Sequence, residues 1–342
     1  MKSSCVIEKT TLSCFFLIRR GFFMNQEKVY YVIAFYLFTA IENPQEEVEK
    51  HHIFFENRDI RSRIYISHQG INAQMSALEE HALEYMEWMR ADERFKDIDF
   101  KCHKYHEQVF PRATVKYKKQ LVALDHNADP HKGGEHLPPA QWKQMLEEEK
   151  DNVLLLDVRN DYEWKVGHFE GAVKPELDIF RKFPEYAKEL KKTHDPKNTK
   201  VMMYCTGGIR CELYSALMKE EGFETVYQLE GGVIKYGLEQ GEDKWLGKLF
   251  VFDDRLAIPI AEEDKAPVIG SCHHCGLACD VYYNCANMDC NELFVSCSSC
   301  AEELSGCCQK ECQCSEKLRP YEKDKKPKPF RRKHLCQLAA RT

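Results

Sequence analysis

Hydrophobic positions change their spacing twice along the chain, and the changes divide it into three stretches. In the first, residues 29–38 form an unbroken apolar, aromatic and β-branched run, which predicts a buried strand. Residues 44–57 open on a proline with acids close behind, which predicts a helix. Alternation over 61–67 and the run over 70–76 predict two strands, and 78–90 returns to helical spacing. Further strands are expected over 100–106 and 113–124.

That order, β-α-β-β-α-β, is the order of a ferredoxin-like (acylphosphatase-like) fold. In the second stretch, short apolar runs at 153–157, 201–204 and 226–229 each lead into a loop. Strands with so little polar alternation need cover on both faces, so a parallel α/β sheet is expected. The third stretch, 267–314, has no long periodic run and cannot build much of a core. The expected layout is an N-terminal extension (1–27), the ferredoxin-like domain (28–125), a linker rich in His, Gly and Pro (126–137), the parallel α/β domain (138–247), a second linker (248–266), a Cys-rich module (267–314) and a basic, disordered tail (315–342).

Cysteine usage sharpens this picture. Of 17 cysteines, eleven fall between Cys272 and Cys314. No secretory signal is recognisable, since the short apolar run near residue 14 is followed by Arg19 and Arg20 and lacks a cleavage site. Clustered cysteines in such a chain favour metal over disulfides. Cys272-x2-Cys275 and Cys297-x2-Cys300, with 21 residues between them, have the spacing of a four-thiolate zinc site. Interleaving with them, Cys285, Cys290, Cys308 and Cys312 form a candidate second site, for which Cys307 is an alternative ligand; Cys279 and Cys314 are left unassigned. One or two structural zinc ions are expected, because four thiolates leave no open position for catalysis.

A different chemistry is written at residues 205–210, Cys-Thr-Gly-Gly-Ile-Arg, between the run 201–204 and a helix expected to begin near Cys211. A cysteine at the carboxyl end of a parallel strand sits where open α/β sheets place ligands. Its sulfur would face a helix N-terminus and successive loop N–H groups, while Arg210 adds a positive charge. All three lower a thiol pKa from its free value of roughly 8.5 and make the sulfur nucleophilic at neutral pH. Gly207 and Gly208 allow the loop to fold around it.

Net charge is −6, so global charge does not point to nucleic acid. Locally, Lys101, Lys104, Arg112, Lys116, Lys118 and Lys119 face the single acid Glu107, with Tyr105, Phe110 and Tyr117 among them. Lys101, Lys104, Lys116 and Lys118 are therefore candidate RNA-backbone contacts. No apolar run is long enough to span a bilayer, and a cytoplasmic location is expected. There is no dinucleotide fingerprint or other nucleotide-cofactor motif.

The loop Cys205, Thr206, Gly207, Gly208, Ile209 and Arg210 resembles the six-residue active-site loop of rhodaneses, which carry sulfur as a cysteine persulfide. Residues 155–163 with 167–172 resemble the first rhodanese signature and 229–232 the second. The resemblance implies that Asp157 and Arg159 support the domain around the loop. With Gly70-Ile-Asn-Ala in the first stretch and Asn284-Cys-Ala-Asn287 in the last, the whole arrangement is similar to the bacterial rhodanese-domain proteins assigned as tRNA uridine 34 hydroxylases. That family implies an oxidoreductase that uses dioxygen to hydroxylate C5 of the wobble uridine, with the tRNA anticodon loop as partner and Cys205 and Arg210 as catalytic residues. Two other readings use the same residues: a sulfurtransferase carrying sulfane sulfur on Cys205, and a non-enzymatic RNA-binding zinc protein.

Overall fold

A computed structural model of the chain describes residues 28–124, 126–148, 152–175, 177, 182–261, 266–323, 325, 327 and 329. The N-terminal extension expected over 1–27 and most of the basic tail lie outside the described residues.

The first domain runs β1 (Tyr30–Phe38), α1 (Pro44–Phe55), β2 (Arg61–Ser67), β3 (Gly70–Leu78), α2 (Glu79–Arg90), β4 (Lys101–Tyr105) and β5 (Val115–Tyr117). Helix α1 starts where Pro44 sits in the first turn and the Asn43 side chain accepts the Glu46 N–H at 3.3 Å. The strands form one sheet in the order β4-β1-β3-β2-β5, antiparallel except for the β2–β5 pair. Strand side chains alternate between faces. Ile33, Phe35, Ile64, Ile66, Ile71, Ala73 and Met75 therefore bury together with Tyr85 and Met89 of α2. The opposite face carries Ala34, Tyr36, Arg63, Tyr65, Asn72 and Gln74, and these side chains look towards the second domain.

Strand order splits the basic stretch between Lys101 and Lys119. β4 and β5 occupy opposite edges of the sheet, with three strands between them. At about 4.8 Å per strand, Lys104 and Lys116 are separated by the width of the whole sheet. The strand expected over 113–124 also shrinks to the three residues of β5. Leu121, Val122 and Leu124 beyond it leave the sheet and pack into the core of the second domain.

The second domain contains β6 (Glu135–Leu137), α3 (Pro139–Glu148), β7 (Val153–Asp157), α4 (Asp161–Trp164), β8 (Gly167–Phe169), α5 (Phe183–Leu190), β9 (Lys200–Tyr204), α6 (Ile209–Glu220), β10 (Thr225–Leu229) and α7 (Gly232–Gln240). Its main sheet is parallel, in the order β6-β10-β9-β7. Val201, Met203 and Cys205 bury on one side with Leu213 and Leu217 of α6. Met202 and Tyr204 bury on the other with Trp142 of α3 and Val233 and Tyr236 of α7. The described residues of both linkers contribute strands. Residues 135–137 supply edge strand β6, because Gly134 lets the backbone approach Val226 more closely than a Cβ would allow. After β11 (Trp245–Gly247), the hairpin β12 (Leu249–Phe250) and β13 (Ala257–Ile258) buries Phe250, Val251 and Leu256.

The Cys-rich module holds β14 (Tyr282–Asn284), β15 (Leu293–Val295) and the short helix α8 (Ser298–Glu303). Tyr282 and Val295 pack on Val166 and Phe250, so the module rests on the second domain. The tail's first residues are ordered as well: Arg319 donates to the Asn284 carbonyl at 2.8 Å.

Candidate active site

β9 delivers Cys205 to the carboxyl end of the parallel sheet, and α6 begins at Ile209, two residues earlier than expected. Between them the chain turns sharply, with Gly208 at φ 101°, a conformation that disfavours any side chain. The turn brings the Gly208 N–H to 3.1 Å from the Cys205 sulfur. Burial alone would raise the thiol pKa. The neighbouring Cys211 thiol, the Arg210 charge and the N–H groups of Arg210 and Cys211 outweigh it and lower the value to about 6. Cys211 is pushed the other way, by burial and by its negative neighbour, and so remains a thiol.

Arg210 is held by a carboxylate to which the sequence alone assigns no role. Its two terminal nitrogens donate to the two oxygens of Glu163, each at 2.6 Å, and Thr206 Oγ1 donates to the same carboxylate at 2.7 Å. Burial would raise the Glu163 pKa, but Arg210 holds it below the ordinary carboxylate range. Glu163 sits in a capping box with Asn160 at the start of α4, and that spacing is the one local signal that its side chain is anchored. Asp157 and Arg159 form a fully buried pair of their own, Nε to Oδ1 at 2.9 Å, and Arg159 also donates to the Gly167 carbonyl at 2.5 Å.

The N-terminus of α7 closes the loop from behind. Val233 N–H donates to the Cys205 carbonyl at 3.0 Å and Ile234 N–H to the Thr206 carbonyl at 3.1 Å. With these carbonyls turned away, the loop N–H groups point inward. Gly232 makes the approach feasible, since a Cβ there would lie 2.6 Å from both the Cys205 oxygen and the Gly208 nitrogen.

Thr206, Gly207, Ile209 and Arg210 line one wall of a cavity of about 480 Å³, and the polar face of the first sheet forms the facing wall. Cys205 itself is fully buried under its loop. Two ties fix the walls to each other: Tyr36 OH donates to Glu212 Oε1 at 2.7 Å, an oxygen that His136 Nε2 of the second domain also bonds at 2.9 Å, and Arg255 meets His103 of β4. Lys235 of α7 lies 3.6 Å from Asp99.

The lysines separate into two kinds. Lys104, Lys116 and Lys118 are exposed. Lys101 is only 6% exposed and lines the cavity above the Tyr36 ring, so it does not share their surface. Burial lowers its pKa, against the pull of Asp99 and the Cys205 charge. Phe110 is buried in a small cluster with Val32 and Val109, whereas Tyr117 is exposed.

Residues 138–238 match the rhodanese-like domain, residues 30–121 the UPF0176 acylphosphatase-like domain and residues 246–313 the rhodanase C-terminal family. A tRNA uridine(34) hydroxylase of Protochlamydia amoebophila is 58% identical over 311 residues, covering 91% of this chain and 97% of that protein. One of Chlamydia felis is 53% identical over 315 residues, covering 92% and 96%. The chain belongs to the tRNA uridine(34) hydroxylase family. In this hydroxylase family member the three matched domains follow one another along one chain.

In this family member the cysteine quartets also come together. The sulfurs of Cys272, Cys275, Cys297 and Cys300 lie within 4.8 Å of one another, as do those of Cys285, Cys290, Cys308 and Cys312. A tetrahedral zinc with Zn–S of about 2.3 Å places its sulfurs about 3.8 Å apart. Three sulfur pairs match that separation: Cys275–Cys297 at 3.8 Å, Cys290–Cys308 at 3.6 Å and Cys308–Cys312 at 3.9 Å. These spacings are far too long for disulfides and fit a metal ion in each quartet. Cys307 stays outside the second quartet, and Cys279 packs against the Ser296 carbonyl at 3.1 Å. Among the described residues no helix is long and apolar enough to cross a membrane.

Proposed function

We propose that this chain hydroxylates C5 of the wobble uridine of tRNA in the cavity between the rhodanese loop and the first sheet. Membership of the tRNA uridine(34) hydroxylase family supplies the reaction and the substrate. The observation that carries the location is the cavity itself, where Thr206, Gly207 and Arg210 face a polar sheet surface. A pyrimidine must be unstacked to reach such a site, and an anticodon loop presents one unpaired.

Cys205 acts as thiolate or persulfide and adds to C6 of uracil. The C5–C6 electron pair moves onto C5 and into the C4–O4 carbonyl, and the loop N–H groups and Arg210 stabilise the charge that develops on the C5 side of the ring. C5 then bonds to dioxygen. An external reductant supplies two electrons and two protons for O–O cleavage, releasing water, and loss of the C5 proton expels the sulfur. Because Cys205 is buried, a persulfide has a geometric advantage: it carries the reactive sulfur about 2 Å further out. The two metal quartets have no open position and are structural in this scheme.

Nucleoside analysis of tRNA from cells with and without the protein tests this. Loss of 5-hydroxyuridine and its derivatives is the expected result. An unchanged profile together with rapid thiosulfate-to-cyanide transfer would select the sulfurtransferase reading instead.

A further inference from the structure

The sheet wall of the cavity contains two side-chain amides with nothing to bind. Asn72 and Gln74 stand two residues apart on β3, so they share a face, and both line the cavity. Neither amide has a hydrogen-bond partner among the described residues. Cross-strand register places Gln74 between Ala34 and Arg63, and Asn72 between Tyr36 and Tyr65. Arg63 also lines the cavity, and no carboxylate pairs with it among the described residues. Two amides and a guanidinium that make no intramolecular bond among the described residues and share one cavity wall leave their donors and acceptors free for a bound ligand.

We infer that Asn72 and Gln74 hold the target uracil by its O2–N3–O4 edge, and that Arg63 takes a phosphate of the same nucleotide. The inference rests on the hydroxylase reading and specifies how the substrate is oriented. Uracil's polar edge presents acceptor, donor and acceptor, and a carboxamide offers both a donor and an acceptor. Two amides side by side cover all three positions. The geometry of the ring then decides the rest, because N3 lies opposite C6 and C2 lies opposite C5. A base whose polar edge meets the sheet wall turns its C5–C6 bond towards the facing wall, formed by Thr206, Gly207 and Arg210. The N-terminal domain thus orients the base, and the loop acts on it.

Binding is measured on the full-length chain carrying Cys205→Ser, which does not turn over, with synthetic anticodon stem-loops bearing uridine or 3-methyluridine at position 34. The methyl group blocks N3 and should weaken binding about tenfold. With Asn72→Ala and Gln74→Ala added, uridine binding should fall by about that factor, and the methyl group should cost nothing further. Zinc content and the pH midpoint of Cys205 alkylation, read in the Asn72→Ala/Gln74→Ala chain that retains Cys205, should stay unchanged and so separate impaired recognition from impaired folding. A methyl penalty that is absent at the outset, or equally large with and without the amides, overturns the inference. Failure of the hydroxylase reading shows separately, as native protein that discriminates against the methyl group but forms no 5-hydroxyuridine.

Discussion

Around Cys205, burial and charge pull in opposite directions, and charge prevails. The thiol titrates at about 6 because Cys211, Arg210 and two backbone N–H groups all favour the anion against the pull of burial. Thiolate is therefore the main form above that pH, and protonation removes it below. Alkylation of Cys205 by iodoacetamide should rise with a midpoint near pH 6 and level off roughly one to two pH units higher, where an ordinary cysteine is still gaining reactivity. Arg210→Ala should move this midpoint upward. It should also destabilise the fold by about 3 kcal/mol, because Glu163 would be left buried without its partner. An unshifted midpoint would remove Arg210 from the account of the thiolate.

At the scale of elements, the loop depends on what stands behind it. α7 presses its first N–H groups against the loop carbonyls, and Gly232, at φ 68°, is the point of closest approach. Gly232→Ala should displace the loop, cutting Cys205 alkylation and hydroxylation at least tenfold while far-ultraviolet circular dichroism stays native. The Cys-rich module depends on metal in the same sense, since β14, β15 and α8 are too short to form a core alone. Mass spectrometry under native conditions should find two zinc ions per chain. Cys285→Ser should lose one and keep the other, whereas loss of both would mean that the quartets do not bind independently.

Much at this scale is legible in the sequence because it is local. Cysteine spacing, the glycine-rich turn and the two hydrophobic periods are all carried by neighbouring residues, and the parallel sheet and both quartets follow from them. Strand order is not local. Nothing near Lys101 or Lys116 says that β4 and β5 lie at opposite edges, and nothing near Lys101 says that its ammonium is buried facing a second domain. Glu163 reads locally as part of a signature, but its pairing with Arg210 joins residues 47 apart in the chain. Asn72 and Gln74 look like the polar half of an alternating strand; only the docking of two domains turns that half into a cavity wall.

For the whole molecule, the essential feature is that two domains enclose one site. Tyr36 and Glu212, His103 and Arg255, and Asp99 and Lys235 tie sheet to loop across the boundary. Lys116 and Lys118 are exposed at and just past edge strand β5, with Lys118 above the Tyr65 ring, and we propose them as the RNA-backbone contacts. Reversing both charges should weaken tRNA binding and lower the slope of log K against log salt by about 2, one for each phosphate no longer neutralised. Unchanged affinity would move the RNA path elsewhere.

The most direct test of the central claim joins one sulfur to one nucleoside. Purified Cys205→Ala protein is incubated with unmodified tRNA, dioxygen and a thiol reductant beside the native chain, and the digested nucleosides are quantified by mass spectrometry. The account predicts 5-hydroxyuridine from the native chain and none from the variant. Formation of 5-hydroxyuridine by Cys205→Ala at a comparable rate would contradict it.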